Sequence, residues 1–301
     1  MEKYRSTADP STGIHPYLPQ APPPTSISVK ILRPFLFLLR LPFFVLAVVL
    51  SILFTPLLLV PCFLSRALIR LLARLFLFSL GATRFSPPTL PKSRLRVRGK
   101  PVVSRPPSAG ELVIANLNGA IGPLQLVAAY SPIFVVPTDG GIALVSFRNL
   151  TSLIATGRPL SDLPNVDFEA LVANARTPVV MFAEGGSSNG RGVLRFAPRA
   201  FSAVLEVATK LEGRRIFALG LAPRRGQEYC GVLPSVSRYV IGLMSEIATD
   251  VPATYVQVTL KEISTVQAAV AKCAGLPVMA VGADRREHFE THWKEAGGMD
   301  R

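Results

Sequence analysis

Acid is scarce where the chain is most basic. Only Glu2 and Asp9 fall within the first hundred positions, against fourteen lysines and arginines. Residues 101–301 are close to neutral, with nineteen cations against seventeen anions. The net charge of +14 is therefore an N-terminal property, and most of it flanks the most apolar part of the chain. That setting suits anionic lipid headgroups better than nucleic acid. The basic region also lacks zinc spacing, an RNA-binding signature and a helix-turn-helix pattern, so a nucleic-acid partner is not expected. Cysteine is sparse and odd in number: Cys62, Cys230 and Cys273 lie far apart. This excludes a disulfide framework and a cysteine metal cluster, and it fits a reducing, cytosol-facing compartment. Histidine is as rare, with only His15, His288 and His292.

What is abundant is apolar: 49% of the 301 residues, enough for a full core and one or two domains. Residues 1–29 are polar and Pro-rich ("PQAPPPTS") without hydrophobic periodicity, and are expected to be a disordered leader. The apolar run begins too late and is too long for a signal peptide. From Leu41 to Ser65 twenty-five residues carry no charge, "LPFFVLAVVLSILFTPLLLVPCFLS". A helix of about 20 apolar residues crosses a bilayer. Pro42 marks the start of this run, while Pro56 and Pro61 break its second half. Cations stand at both ends, Lys30, Arg33 and Arg40 before, Arg66, Arg70 and Arg74 after. Positive residues prefer the cytoplasmic side, so this arrangement favours a hairpin that enters and returns. Ser65–Leu80 follows as a helix whose Arg66, Arg70 and Arg74 recur every fourth residue. Such a helix would lie in the membrane interface with these arginines toward lipid phosphate. Residues 30–84 thus read as a membrane-embedded hairpin with a basic amphipathic helix.

Residues 85–275 read as a soluble α/β domain, and 276–301 as a charged C-terminal tail. "SRLRVRG" has the alternation of a half-exposed strand. The short apolar runs at 111–116, 132–138, 177–184 and 215–223 suit buried strands. Helical stretches lie between and after them at 124–130, 167–175, 198–211 and 235–247. The expected class is α/β, a mostly parallel sheet flanked by helices.

In "PVVMFAEGGSSNGRG" an apolar strand runs into a turn bearing one acid, Glu184, and one cation, Arg191. Gly185, Gly186, Gly190 and Gly192 let backbone N–H groups converge on an anion, and Arg191 adds a bidentate grip. The turn reads as a phosphate or oxyanion site, with a plain glycine-rich surface turn as the alternative. It lacks the Lys-Ser/Thr ending of a nucleotide P-loop.

"FAEGGSSNGRGVLRF" resembles the "FPEGT-x-SNGRG" block of the glycerolipid (lysophosphatidic acid-type) acyltransferases. The order around it is similar too: a membrane segment, "RLRVRG", a strand ending in Asn116, "AAYSPIFVVPT", then the Glu-Gly block and "IFALGLAPR". The resemblance covers roughly residues 85–260. It implies an acyltransferase-like fold on an internal membrane, the endoplasmic reticulum or a lipid droplet, facing the cytosol. It implies lysophospholipid and acyl-CoA as ligands in phospholipid synthesis or remodelling, with no bound cofactor and no metal. It makes Glu184, Gly185, Ser188, Asn189, Gly190 and Arg191 the residues of the substrate phosphate site.

The family's other block reads Asn-His-x-Ser-x-x-Asp, its His acting as general base and its Asp orienting that imidazole. An alcohol needs such a base to attack a thioester. Here Asn116 matches the Asn, but the His position is Leu117, the Ser position Gly119 and the Asp position Gly122. The later block departs as well, with Ala183 for Pro and Gly186 for Thr. Binding residues are kept while proton-transfer residues are gone, which raises the alternative of a non-catalytic lipid-binding protein or scaffold on the same fold. His288 and His292 lie one turn apart, but without the His-Glu-x-x-His pattern they read as a solvated helix. A third reading takes Gly186–Gly190 as a Gly-x-Ser-x-Gly elbow with Ser188 as a hydrolase nucleophile, Asp250 or Asp284, and His288 or His292. Glu184 and Gly185 intervene between strand and elbow, and Pro198 soon follows.

Overall fold

A computed structural model describes residues 8–18, 26–58, 63–82, 106–138, 140–146, 163–210, 214–222, 236–249, 251–258 and 265–295. The strand expected at "SRLRVRG" lies outside them. The centre is a six-stranded sheet in the order β3-β2-β4-β1-β6-β7. Its strands are β1 (Leu112–Ala115), β2 (Ile133–Pro137), β3 (Ile142–Val145), β4 (Val179–Phe182), β6 (Ile216–Leu221) and β7 (Ala253–Val258). β1 pairs in parallel with β4 and β6, and β2 with β4, while β3 and β7 are antiparallel edges. A separate parallel pair joins β5 (Val193–Arg195) to β8 (Val278–Gly282).

β1, β4 and β6 are buried along their whole length because helices cover both faces, which is why they read as unbroken apolar runs. One face sends Val113, Ala115, Val180, Phe182 and Phe217 into a core shared with Ile121, Leu126 and Leu243. These come from α4 (Ile121–Tyr130) and α7 (Val236–Ser245). The other face sends Leu112, Ile114, Met181 and Ala218 toward Val172, Val204 and Val270. Those belong to α5 (Phe168–Asn174), α6 (Pro198–Lys210) and α8 (Val266–Ala274). α5 starts where Asp167 accepts the Ala170 amide at 3.1 Å, a side-chain N-cap. The mixed α/β class with a mostly parallel sheet is what the sequence led one to expect.

N-terminal to the sheet is α1 (Ile27–Leu53), 27 residues, apolar and long enough to cross a membrane. Pro42 does not start it: the helix runs through Pro34 and Pro42. Each proline removes one helical hydrogen bond, and packing against neighbouring helices offsets the loss. The helix ends at Phe54, beside Pro56, and a single turn follows, α2 (Thr55–Leu58). α3 (Phe63–Ser79) returns antiparallel to α1, with Phe43 against Phe78 (ring centroids 5.1 Å) and Phe44 against Phe76 (5.8 Å). The hairpin rests on the sheet domain. The buried guanidinium of Arg40 donates to the carbonyls of Met244 (2.9 Å), Ile247 (3.3 Å) and Glu246, at the C-terminal end of α7. A cation there meets the negative end of the helix dipole. Arg33 pairs with Glu246 at 2.5 Å. The opposite side of α1, with Ile31, Phe35, Leu38, Leu46, Val49 and Leu53, is exposed.

α3 differs from the interfacial helix read in the sequence. Ala73, Leu77 and Leu80 are buried in the domain core and Leu72 is buried too, so none is free for acyl chains. Arg70 donates to Ser131 Oγ at 3.0 Å and to the Tyr130 carbonyl at 3.5 Å, capping α4. Arg66 is half-buried, and Arg74 is exposed beside Leu71 and Phe78.

The leader also departs from expectation. Residues 8–18 are not disordered but docked, with Asp9 and Tyr17 fully buried. Nor is the C-terminal stretch only a charged tail. It contributes β8 and α9 (Arg286–Glu295), whose Phe289 packs with Tyr17, Leu194 and Met279. A single aspartate and a single tyrosine leave no periodic signal, so composition alone pointed to disorder.

Candidate functional site

The loops leaving β1 and β4 meet at the carboxyl ends of the parallel strands, where open α/β sheets usually bind ligands. Asn116 ends β1 by pairing with β6 as a strand residue would: its Oδ1 accepts the Leu221 amide (2.8 Å) and its Nδ2 donates to the Leu221 carbonyl (2.9 Å). Leu117 follows with its side chain fully buried in the core, 0% exposed. No imidazole could stand there and reach solvent without leaving that core. Gly119 has φ +77° and turns the chain toward α4. At Gly122 an added Cβ would lie 2.8 Å from Leu221 Cδ1, so the position where the resemblance would put an aspartate is occupied by core packing.

Glu184 joins the two loops. It is 1% exposed, its Oε2 accepts the Leu117 amide (2.8 Å) and its Oε1 accepts the Leu194 amide (2.7 Å). Burial pushes its pKa up to about 8, against the opposing pull of those two N–H groups. The group is therefore mostly protonated at neutral pH. It positions the loops and does not face a ligand. Ser188, fully buried, donates from Oγ to Asn118 Oδ1 at 3.0 Å, and its amide reaches the Leu117 carbonyl at 3.4 Å. The hydroxyl is held by an amide, with no imidazole on it. Asp250 lies outside the described residues, and Asp284 pairs instead with Arg195 at 3.4 Å.

The Gly-rich turn spends much of its backbone internally. The amides of Gly185, Ser188, Asn189, Gly190 and Arg191 bond to Phe182 O, Leu117 O, Pro16 O, Ser188 Oγ and Asn189 Oδ1. Gly185 (φ +72°) and Gly190 (φ +70°) allow this tight path. A cradle of converging N–H groups is thus largely closed. What remains outward is Arg191, exposed, whose guanidinium makes no hydrogen bond or ion pair among the described residues. Ser187 is half-exposed beside it.

Sequence reasoning missed that the leader lies on this turn. Asn189 donates from Nδ2 to the carbonyls of His15 (2.7 Å) and Leu18 (2.9 Å). Tyr17 donates its hydroxyl to Gly282 O at 2.7 Å. Asp9 accepts the amides of Ala280 (2.6 Å) and Val281 (3.2 Å), and Ser11 and Thr12 bond its other oxygen. Burial raises the Asp9 pKa, but these hydrogen bonds outweigh it and hold the value at about 2. The one sequence signal was "DPSTG", an aspartate followed by Ser and Thr that favours a local turn.

His288 and His292 are exposed on α9, their rings 4.5 Å apart. Among the described residues no group of three or more metal-ligating side chains occurs. No protein-family model matches the chain, no curated protein is similar to it by sequence, and no solved structure matches it.

Proposed function

We propose that this chain is a membrane-surface protein on a glycerolipid acyltransferase-type scaffold. It holds the phosphate of a lysophospholipid or of acyl-CoA at Arg191 and has given up acyl transfer. The observation that carries the loss of transfer is Leu117, a fully buried core residue at the position where the resemblance calls for a base. A general base contributes about 10²–10⁴-fold to such reactions. Headgroup binding is supported by Arg191, the exposed cation of the turn, which has no partner among the described residues. The neutral form of Glu184 supports it too, because a protonated acid does not repel an arriving phosphate.

The same scaffold with residual acyl transfer is the second reading, favoured by the preserved Glu184–Arg191 block. The hydrolase reading loses its support, since Ser188 Oγ is buried and bonded to Asn118.

Membrane attachment is supported by the exposed apolar side of α1. The leader precedes α1 and the sheet domain follows α3, yet the two are bonded to each other through Asn189 and Asp9. With both on one side of a bilayer, α1 would rest on the membrane surface with its exposed apolar side toward lipid, since Arg40 and the core residues of α3 hold the hairpin on the sheet domain. The cytosolic face of the endoplasmic reticulum or of a lipid droplet suits this arrangement. Flotation with phosphatidylcholine vesicles tests the attachment, and lysophosphatidate binding by purified protein in nanodiscs tests the site. Arg191→Ala should weaken that binding at least several-fold; unchanged binding would remove Arg191 from the site.

A further inference from the structure

We propose that the leader supplies half of the phosphate subsite: His15 Nδ1 and the Arg191 guanidinium together grip one phosphate monoester. This deepens the proposed function and rests on it.

The geometry ties the backbones of the two residues to one joint, the Asn189 side chain. Asn189 donates to the His15 carbonyl at 2.7 Å while its Oδ1 accepts the Arg191 amide at 3.2 Å. His15 is fixed between two anchors of the leader, Asp9 on β8 and Tyr17 in the cluster with Leu194, Met279 and Phe289. Its Nδ1 is buried and has no hydrogen-bond partner. Buried polar atoms in folded proteins are almost always paired, so a lone one calls for a partner such as a water, an ion or a ligand. Burial, and then neighbouring positive charge that includes Arg191, holds the His15 pKa below its ordinary value. An uncharged imidazole bearing its proton on Nδ1 still donates one hydrogen bond, and an anion next to Arg191 would accept it. Two donors of this kind match the oxygens of a phosphate.

The chemistry is shared by two sources, a lysophosphatidate headgroup and the ribose 3′-phosphate of coenzyme A. With only three histidines in the chain, the imidazole nitrogens are separable by ¹⁵N NMR of histidine-labelled protein in nanodiscs. Inorganic phosphate is the first probe. It should move the His15 Nδ1 resonance and leave His288 and His292 in place, with affinity falling at least fivefold in both His15→Ala and Arg191→Ala. His15→Asn carries an amide nitrogen near the Nδ1 position and should keep most of the binding. Trp293, the single tryptophan, stacks on Phe289 at 5.8 Å, and Phe289 lies 5.8 Å from Tyr17. Unchanged Trp293 emission therefore shows that a variant still has its leader docked. Competition by lysophosphatidate in vesicles, or by coenzyme A but not its 3′-dephospho form, assigns the source.

A silent His15 resonance would overturn the proposal. So would a His15→Ala variant that binds like the natural protein while Arg191→Ala does not, and in that case the Arg191 headgroup reading would stand. If neither the natural protein nor its variants bind phosphate, lysophosphatidate or coenzyme A, the functional reading falls and this proposal with it.

Discussion

The two loops at the carboxyl edge of the sheet have nearly opposite characters. The loop after β1 is closed: Leu117 fills the core, Gly122 packs on Leu221, and Asn116 and Asn118 spend their amides on Leu221 and Ser188. The loop after β4 buries Glu184 to hold the first loop in place, yet carries Arg191 outward. The first loop has become a structural joint, while the second keeps a charge that can meet a ligand. The two loops can take such different roles because they leave different strands, β1 and β4.

Removing the joint should have the largest effect. Glu184→Ala leaves the Leu117 and Leu194 amides without an acceptor, at about 1–3 kcal/mol for each orphaned group, or about 4 kcal/mol in all. Chemical denaturation in detergent would measure it, and a loss below 1 kcal/mol would mean that Glu184 does not join the loops.

The same residue sets a pH dependence. Its folded pKa of about 8 lies above the ordinary 4.5, so the folded state holds a proton that the unfolded chain releases. Stability from this group is fully present below pH 4.5 and declines as pH rises to about 8. The slope reaches at most about 1.4 kcal/mol per pH unit. Glu184→Gln cannot ionise and should flatten the melting-temperature profile over that interval. A variant as pH-dependent as the natural protein would place the titration elsewhere.

Restoring a base to the first loop should fail on packing grounds. Gly122→Asp forces Leu221 to shift and buries a carboxyl, and Leu117→His buries an imidazole in an apolar core. Each should cost about 2–3 kcal/mol. A double substitution as stable as the natural protein would show that the joint is looser than its contacts imply.

The smallest effect belongs to the contact between the loops. Ser188→Ala removes one donor from Asn118 Oδ1 and should cost about 1 kcal/mol. It should leave lysophosphatidate binding intact. Loss of binding with stability unchanged would give Ser188 a direct ligand role.

Much of the fold was legible because physics acts locally on those segments. The runs at 111–116, 132–138, 177–184 and 215–223 all contain strands, since a strand covered on both faces must be apolar throughout. The hairpin was legible only in part: a break falls near Pro56 as expected, but α1 begins at Ile27 and its return helix α3 packs into the domain core. Edge strands escaped notice: β7, "ATYVQV", is half-buried and mixes polar with apolar residues, and β5 is three residues long. The site was legible as two motifs but not as a geometry. Nothing in "FAEGG" says that its acid turns inward to backbone amides, and nothing in a Pro-rich leader says that His15 will lie against the Gly-rich turn. Those facts depend on contacts between distant residues, 67 positions apart in the Glu184–Leu117 bond and 174 apart in the Asn189–His15 bond.

The most direct test of the central claim is acyl transfer from labelled acyl-CoA to lysophosphatidate by the purified protein in nanodiscs, with binding measured on the same sample. The expected result is binding that Arg191→Ala weakens several-fold, with no transfer above the uncatalysed rate. Transfer that is lost with Arg191→Ala would contradict it, and would mean that a base outside the Asn116–Gly122 loop serves this site.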